Sequence, residues 1–426
     1  MRKIAVIGAG ITGITTAYSL LERGFEVTVF DRNRYAAMET SFANGGQLSA
    51  SNAEVWTQWS TILKGIKWIF EPGAPLLVNP KPSWHKYSWM AEFMSNIPNY
   101  RQNTVETVRL AIAAREHLKS HAAKEGFDFD LENRGILHVY NNKKDFEAAA
   151  KVTKLLAEGG LERRPVTPEE VKAIEPTITP DLYGGYYTVS DFTGDIHRYA
   201  RGLSEACERR GVNFHYHADV ISSREENQGV TLGFKMEDGS LHYEGFDGVV
   251  ICAGVYSRGF AKMFGDRVNI YPVKGYSITV KLDDDESQKS APWVSLLDDE
   301  AKLVLSRLGK DRLRVAGTAE FNGYNYDIRD DRIKPIVKWV ERFFPQVSTE
   351  YAIPWAGLRP MMPSMMPKVG KGKHPGIFYN TGHGHLGWTL SAATAEIIAE
   401  TVLTEARSNS RTFAQNSKNG VAETAA

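Results

Sequence analysis

The chain opens with Lys3-Ile-Ala-Val-Ile-Gly-Ala-Gly-Ile-Thr-Gly13, and the reading of this stretch decides the fold. Lys3 to Ile7 is short, apolar and rich in β-branched residues, the composition of a strand buried on both faces. Gly8-Ala9-Gly10-Ile11-Thr12-Gly13 then follows the pattern G-x-G-x-x-G. Ile14, Ala17, Tyr18 and Leu21 recur at helical spacing, and Gly24 stands where a helix C-terminus is expected. A second strand, Glu26 to Phe30, ends at Asp31, 18 residues beyond Gly13. Gly8 permits the tight turn, Gly10 clears room for a pyrophosphate, and Gly13 lets helix and strand pack closely. The helix N-terminus offers unpaired N–H groups to phosphate, and Asp31 can accept hydrogen bonds from ribose hydroxyls. Strand, helix, second strand and terminal acid all occur in order, so the stretch reads as a dinucleotide-binding βαβ unit. It is not a secretory signal: three glycines break the apolar run and no small-x-small cleavage site follows.

The rest of the chain bounds what such a unit can belong to. At 426 residues it has room for two or three domains, and with 42 % hydrophobic residues it can bury a sizeable core. Lys plus Arg equals Asp plus Glu at 51 each, which argues against nucleic acid as a partner. Two cysteines, Cys207 and Cys252, are too few for an iron–sulfur cluster, a Cys-rich zinc site or a disulfide scaffold. Cys252 sits in an apolar strand and reads as a buried, inert thiol. No apolar run approaches the ~18 residues that span a bilayer. The expectation is a soluble, intracellular enzyme.

Two further segments separate the possible dinucleotides. Met38-Glu-Thr-Ser-Phe-Ala-Asn-Gly-Gly-Gln47 replaces the βαβ units that an NAD dehydrogenase would add next. This small-residue loop, with Thr40, Ser41, Asn44, Gly45, Gly46 and Gln47, suits backbone pressed against a flat ring. Gly382-His-Gly-His-Leu-Gly387 matches the glycine pattern again, after a strand at Ile377 to Tyr379 and before a helix from about Trp388. No ribose-binding acid or third strand follows it, so it is not a second dinucleotide site. A glycine-rich helix N-terminus there, formed by Gly382, Gly384, His385, Leu386, Gly387 and Trp388, can instead stabilise negative charge on a reduced flavin. One FAD and no NAD site is the expectation. His383 and His385 lack an acidic partner at metal-ligand spacing, so no metal is expected.

At this point the chain resembles the D-amino acid oxidase superfamily, and within it the bacterial D-amino acid dehydrogenase (small subunit) family. The resemblance runs to about residue 405. Besides the fingerprint it rests on Glu39 to Gln47, Asp191-Phe-Thr-Gly-Asp-Ile-His197 and Pro272-Val-Lys-Gly-Tyr-Ser277, and most specifically on Trp355-Ala-Gly-Leu-Arg-Pro360 and Asn380 to Trp388. It implies a mixed α/β architecture: a discontinuous Rossmann-like FAD domain from 1–50, 190–265 and 355–406, and an antiparallel-sheet substrate domain from 51–189 and 266–354. A disordered tail at 407–426 is expected from composition. Further FAD contacts are implied at Arg32, Val220, Ala253, Gly254 and Gly357.

The implied reaction is FAD-dependent oxidative deamination of D-amino acids to 2-oxo acids and ammonia, the Cα hydride passing to flavin N5 and electrons onward to a quinone or the respiratory chain. Alternatives are a relative acting on D-proline, D-hydroxyproline, glycine or sarcosine, or a flavoprotein needing a partner chain. A fixed guanidinium for the substrate carboxylate is the main requirement, and Arg359 is the residue placed for it. Tyr276 and Lys274 read either as substrate contacts or as strand core residues, and His383 as a residue near the flavin edge. Asp195 and His197 read as stiffening the junction between domains. Pro168 to Glu175 reads as a short helix with Thr167, Pro168 and Glu170 as its capping residues.

Two segments stand apart. Residues 55–100 carry Trp56, Trp59, Trp68, Phe70, Trp84, Tyr87, Trp89 and Phe93 with several lysines, which suits either a lipid interface or core packing. Leu48-Ser-Ala-Ser-Asn-Ala-Glu-Val-Trp-Thr-Gln-Trp59 replaces the Pro/Gly/Ala-rich continuation associated with the family, and Pro363-Ser-Met-Met-Pro367 stands where an Asp-Gly turn is usual. Both departures bear on substrate range.

Overall fold

The computed structural model describes residues 2–423 apart from residues 70, 72, 73, 227 and 228, with the side chains of 69 and 409–423 also outside the description. Two sheets organise the chain. The first has six strands in the order Lys368–Lys371, Ile377–Thr381, Gly248–Ile251, Lys3–Ile7, Glu26–Phe30 and Asn213–His215. All neighbours run parallel except Lys368–Lys371. Alternate residues of Lys3–Ile7 serve two cores. Ile4 and Val6 pack with Ile14, Tyr18, Tyr199 and Ile398 of the covering helices. Ala5 and Ile7 pack with Val220, Leu232 and Phe234 of a three-stranded antiparallel layer on the other face. This double burial is why the strand reads as a continuous apolar run.

The second sheet has nine strands and is mostly antiparallel. At one edge Ile353–Met361 pairs with Tyr271–Lys281, which pairs in turn with Arg312–Phe321. Leu303–Leu308 and Arg312–Phe321 form a hairpin turned at Gly309 with φ +68°. Thr167, Pro168 and Glu170 form the expected capping box of the helix Pro168–Ile174.

Three placements differ from expectation. The strand Ile353–Met361 belongs by hydrogen bonding to the second sheet, although residues from 355 onward were assigned to the nucleotide unit. The helix Tyr100–Glu125 lies within the span expected for the substrate domain, yet its Ala114, Leu118 and Ala122 pack into the nucleotide-side core. Helical periodicity marks the buried face but not which sheet that face meets. The last helix runs Gly387–Glu423, across most of the tail expected to be disordered. That stretch is polar but holds no proline, so the helix meets no obligatory stop. Residues 424–426 lie outside the described residues.

Asp195 caps the helix Ile196–Arg209, accepting from the N–H groups of His197 and Arg198, and also accepts from Arg312 Nη1 of the second sheet at 2.7 Å. It therefore ties the two sheets together, the junction role expected of it. No helix among the described residues is long and apolar enough to cross a membrane.

Candidate active site

The ends of Lys3–Ile7 and Glu26–Phe30 open onto a cavity of about 480 Å³. Gly8 has φ +106°, and a Cβ there would lie 2.7 Å from the Cys252 carbonyl oxygen. A Cβ on Gly13 would lie 1.8 Å from the Gly8 carbonyl oxygen, so this glycine sets the distance between strand and helix. At Gly10 the only neighbour a Cβ would meet is Ser41 Oγ at 3.5 Å, which leaves the backbone open to the cavity. Gly10 is also the N-cap of Ile11–Glu22 and brings no side chain of its own to cap it. Its first N–H, on Ile11, donates to Ser41 Oγ at 3.1 Å, and the turn beyond is left for a ligand. The Asp31 carboxylate accepts from Ala9 N at 2.7 Å and from Asn33 N at 2.8 Å. Burial raises its pKa against those donors.

Across the cavity stands Arg359. Its Nη1 donates to the Thr318 carbonyl at 2.6 Å and its Nη2 to the Gly317 carbonyl at 3.3 Å. Among the described residues no carboxylate pairs with it, and burial lowers its pKa to about 10. A β-bulge builds this seat. Lys274 pairs with Glu320 and Tyr276 with Gly317, so Thr318 and Ala319 together oppose the single residue Gly275. Thr318 takes φ +58°, a conformation costly for a β-branched residue, and its carbonyl turns to the guanidinium. Gly275 completes the seat: a Cβ there would lie 2.3 Å from Arg359 Nη2.

A model of the FAD dependent oxidoreductase family matches residues 3–401. The chain belongs to that family. It is 63 % identical over 406 residues to D-amino acid dehydrogenase 3 of Mesorhizobium japonicum, covering 95 % of this chain and 98 % of that one. It is 40 % identical over 411 residues to a D-amino acid dehydrogenase of Paramagnetospirillum magneticum, covering 94 % of each. Among solved structures, glycine oxidase from Geobacillus kaustophilus matches with TM-score 0.72 at 17 % identity over 95 % of both chains. L-proline dehydrogenase from P. horikoshii matches with TM-score 0.70 at 16 % identity, over 94 % of this chain and 93 % of that one. At such identities the structures speak for the fold alone.

FAD is the cofactor of the family, and the cavity fits it on its own terms. Trp388 Nε1 and His385 Nε2 are buried ring nitrogens without a hydrogen-bond partner among the described residues, and both residues line the cavity. Buried polar atoms of this kind await a ligand. The helix N-terminus, the bare Gly10 backbone and Asp31 supply a phosphate and ribose site at the same cavity.

Most of the expected cofactor contacts line this cavity. Gly8, Gly10, Ile11, Thr12, Asp31 and Arg32 do so from the fingerprint side, and Thr40, Ser41 and Asn44 from the following loop. Val220, Ala253 and Gly254 line it from the middle of the chain, with Gly382, Gly384, His385, Gly387 and Trp388 from its end. Others are turned elsewhere. Ala9 contributes through its N–H to Asp31, and Gly13 through packing. Gly45 and Gly46 press on Val304, Ser306 and Leu308, and Gln47 Nε2 donates to Ser295 Oγ and the Leu296 carbonyl. These three therefore join the loop to the second sheet. Gly357 lies under the Trp355 ring, and Leu386 packs in a core with Ala50 and Leu390.

Lys274 and Tyr276 are corrected by register. Arg359 pairs with Val273 and Gly357 with Gly275, whereas Lys274 and Tyr276 pair with Leu358 and Ala356. Side chains alternate faces along a strand, so both point away from Arg359. Tyr276 donates to Glu320 Oε2 at 2.6 Å, and Lys274 forms an ion pair with Glu320 at 3.2 Å. Lys274 Nζ also holds Asn325 Oδ1 and the Asp327 carbonyl.

His383 lines the cavity, but its Nε2 is bonded to Thr394 Oγ1 at 2.9 Å. His385 has the free Nε2, and its ring stacks on Trp56 with centroids 4.5 Å apart. Burial brings both histidines down to about 3, with Arg359 adding to the effect at His385, so both imidazoles are neutral. Cys252 is buried with its thiol pushed up to about 12, the inert state expected.

Tyr256 was missed: it lines the cavity, its ring lies 4.0 Å from the Arg32 guanidinium, and its hydroxyl meets that of Tyr326 at 2.9 Å. Its signal was position, two residues past the strand-end Gly254. Away from the cavity, ligand atoms of His117, His121 and Glu396 lie within 4.8 Å of one another. Glu396 already accepts from Ser19 and Arg23.

The Gly275→Ala variant is expected to raise KM about 10- to 100-fold, as displacement of a charged hydrogen-bonding group would, while FAD content stays at the wild-type level. Steady-state kinetics beside flavin absorbance per chain checks this.

Proposed function

We propose that this chain is an FAD-dependent enzyme that oxidatively deaminates D-amino acids to 2-oxo acids and ammonia. The observation that carries the reading is Arg359: a half-buried guanidinium without an acidic partner among the described residues, bordering a cavity that fits FAD. Bound there, FAD supplies the hydride acceptor. Arg359 binds the substrate carboxylate with the N–H groups left after the bonds to Gly317 and Thr318, and those two carbonyls fix its plane before substrate arrives. His385 and His383 stay neutral and add no charge beside it. The preference for D-amino acids is supported by relatives bearing the name D-amino acid dehydrogenase at 63 % and 40 % identity.

In this reading the substrate domain is the nine-stranded sheet with its covering helices, and residues 1–50, 190–265 and most of 355–406 form the FAD domain. Electrons pass from FAD to a quinone. Support for a lipid-side acceptor comes from the helix Trp59–Ile69, on which Trp59, Leu63 and Ile66 recur at i, i+4 and i+7 and are 62 %, 66 % and 52 % exposed. Lys64 and Lys67 flank them, the pattern of a helix lying in a membrane interface. Trp89 and Phe93 of the same insert are buried, and Phe70 lies outside the described residues.

The test is turnover of D- and L-enantiomers of alanine, methionine and lysine, with D-proline, glycine and sarcosine, using a quinone-like dye or oxygen as acceptor. Turnover confined to D-amino acids with the dye is expected. Preference for L-enantiomers or for sarcosine overturns the reading.

A further inference from the structure

His117 and His121 lie one turn apart on the helix Tyr100–Glu125, so their side chains share a face. Glu396 reaches the same spot from the helix Gly387–Glu423, and Leu118 and Ala122 share a core with Ala399 and Val402 of that helix. One ligating atom from each residue, two imidazole nitrogens and a carboxylate oxygen, lies within 4.8 Å of the other two. A tetrahedral zinc ion with bonds of about 2.0–2.1 Å sets its donors roughly 3.4 Å apart, so small side-chain rotations bring this set to coordination distance. His121 is buried while His117 and Glu396 are half-buried, which gives an ion a way in and water a place beside it.

The donors already stand in the forms that bind a cation. His121 Nδ1 is hydrogen-bonded to the Tyr199 hydroxyl at 3.2 Å, which fixes the ring as the outer partner of a metal-bound histidine does. In the tautomer with Nδ1–H donating to Tyr199, the lone pair is on Nε2. Burial brings His121 down to about 4, so its imidazole is neutral and that lone pair is available. Burial works against the charge on Glu396, but the bonds from Arg23 and Ser19 outweigh it and hold the carboxyl below its ordinary value. Arg23 is the one competitor, its Nη2 donating to Glu396 Oε2 at 2.9 Å. It has somewhere else to go: Nη1 is held by the Ser19 carbonyl at 3.0 Å, and Nε already lies 3.5 Å from Glu400 Oε2, one helical turn beyond Glu396.

We propose that His117, His121 and Glu396 bind one divalent transition cation of the zinc class, water completing its coordination, and that the ion staples Tyr100–Glu125 to Gly387–Glu423. Two imidazoles and one carboxylate suit such a borderline cation, whereas magnesium and calcium take oxygen donors. The ion plays no part in amine oxidation, and the site stands whatever the substrate at Arg359.

The test uses the untagged, FAD-loaded full chain, freed of metal with a chelator and then titrated with zinc(II) alone in equilibrium dialysis. One zinc per chain is expected to bind in the micromolar range or tighter, with no comparable binding of magnesium. His117→Ala, a change at a half-buried position that leaves the fold intact, weakens that binding at least about tenfold, since even an outer partner of a metal ligand is worth that much. Arg23→Gln removes the competitor for Glu396 and tightens it. Zinc raises the thermal unfolding temperature of the wild type and not of His117→Ala, because the ion stabilises only the state that binds it. Both proteins hold the same amount of FAD, which separates a lost ligand from a lost fold. Zinc bound equally by the wild type and His117→Ala places the ion on other histidines and overturns the proposal. So does a wild type that takes up no zinc, or one whose unfolding temperature zinc does not raise.

Discussion

Replacing Arg359 with alanine is expected to lower kcat/KM for D-amino acids about 10³-fold while the protein keeps its FAD, the loss that follows removal of one partner from a desolvated charge pair. Among the described residues the guanidinium pairs with no carboxylate, and two backbone carbonyls have already oriented it. With the side chain removed, the substrate carboxylate must lose its water without recovering a cation. Arg359→Lys restores charge but not the planar pair of donors, so it recovers only part of the loss. At its lowered pKa of about 10 the wild-type guanidinium is protonated through the neutral range and loses its proton as pH rises past 10. KM therefore rises toward high pH in the wild type, and Arg359→Ala removes that dependence. Steady-state kinetics across pH, with flavin absorbance as the check on cofactor content, decides it.

Gly13→Ala is expected to yield largely colourless protein, with FAD content at least about tenfold below the wild type, equivalent to ~1.4 kcal/mol or more of lost binding. The added Cβ would lie 1.8 Å from the Gly8 carbonyl oxygen, well inside van der Waals contact, and the obstacle is backbone. Strand and helix must then separate, which moves the Ile11–Glu22 N-terminus away from the position in which it meets a diphosphate. The same overpacking costs about 1–3 kcal/mol of stability, so thermal unfolding shifts down together with flavin loss. Protein that stays fully yellow and equally stable would remove the fingerprint from its role.

What was legible in the sequence was local. Lys3 to Asp31 is read correctly because turn, helix start and strand end are each fixed by neighbours a few residues away, and the glycines have one physical use each. Arg359 is singled out by the motif around it, not by any property of an isolated arginine. The missing parts depend on pairing between distant strands. Lys274, Gly275 and Tyr276 lie in one motif, yet only the register with Ile353–Met361 shows that Gly275 faces the guanidinium and its neighbours do not. A β-bulge in a third strand supplies the carbonyl that completes the seat, and no composition announces it. His383 and His385 are two apart in a loop whose turns decide which ring nitrogen is left free. Gly45, Gly46 and Gln47 look like ring-contacting residues because small and amide side chains suit either a flavin or a tight sheet contact, and the sheet took them.

The most direct measurement is anaerobic mixing of the purified yellow protein with single amino acids while its flavin absorbance is followed. A D-amino acid should bleach the wild type within a single turnover, its L-enantiomer should leave the colour intact, and Arg359→Ala should stay yellow with both. Protein that binds FAD yet keeps its colour with every D-amino acid, or an Arg359→Ala variant that bleaches as fast as the wild type, would contradict the assignment.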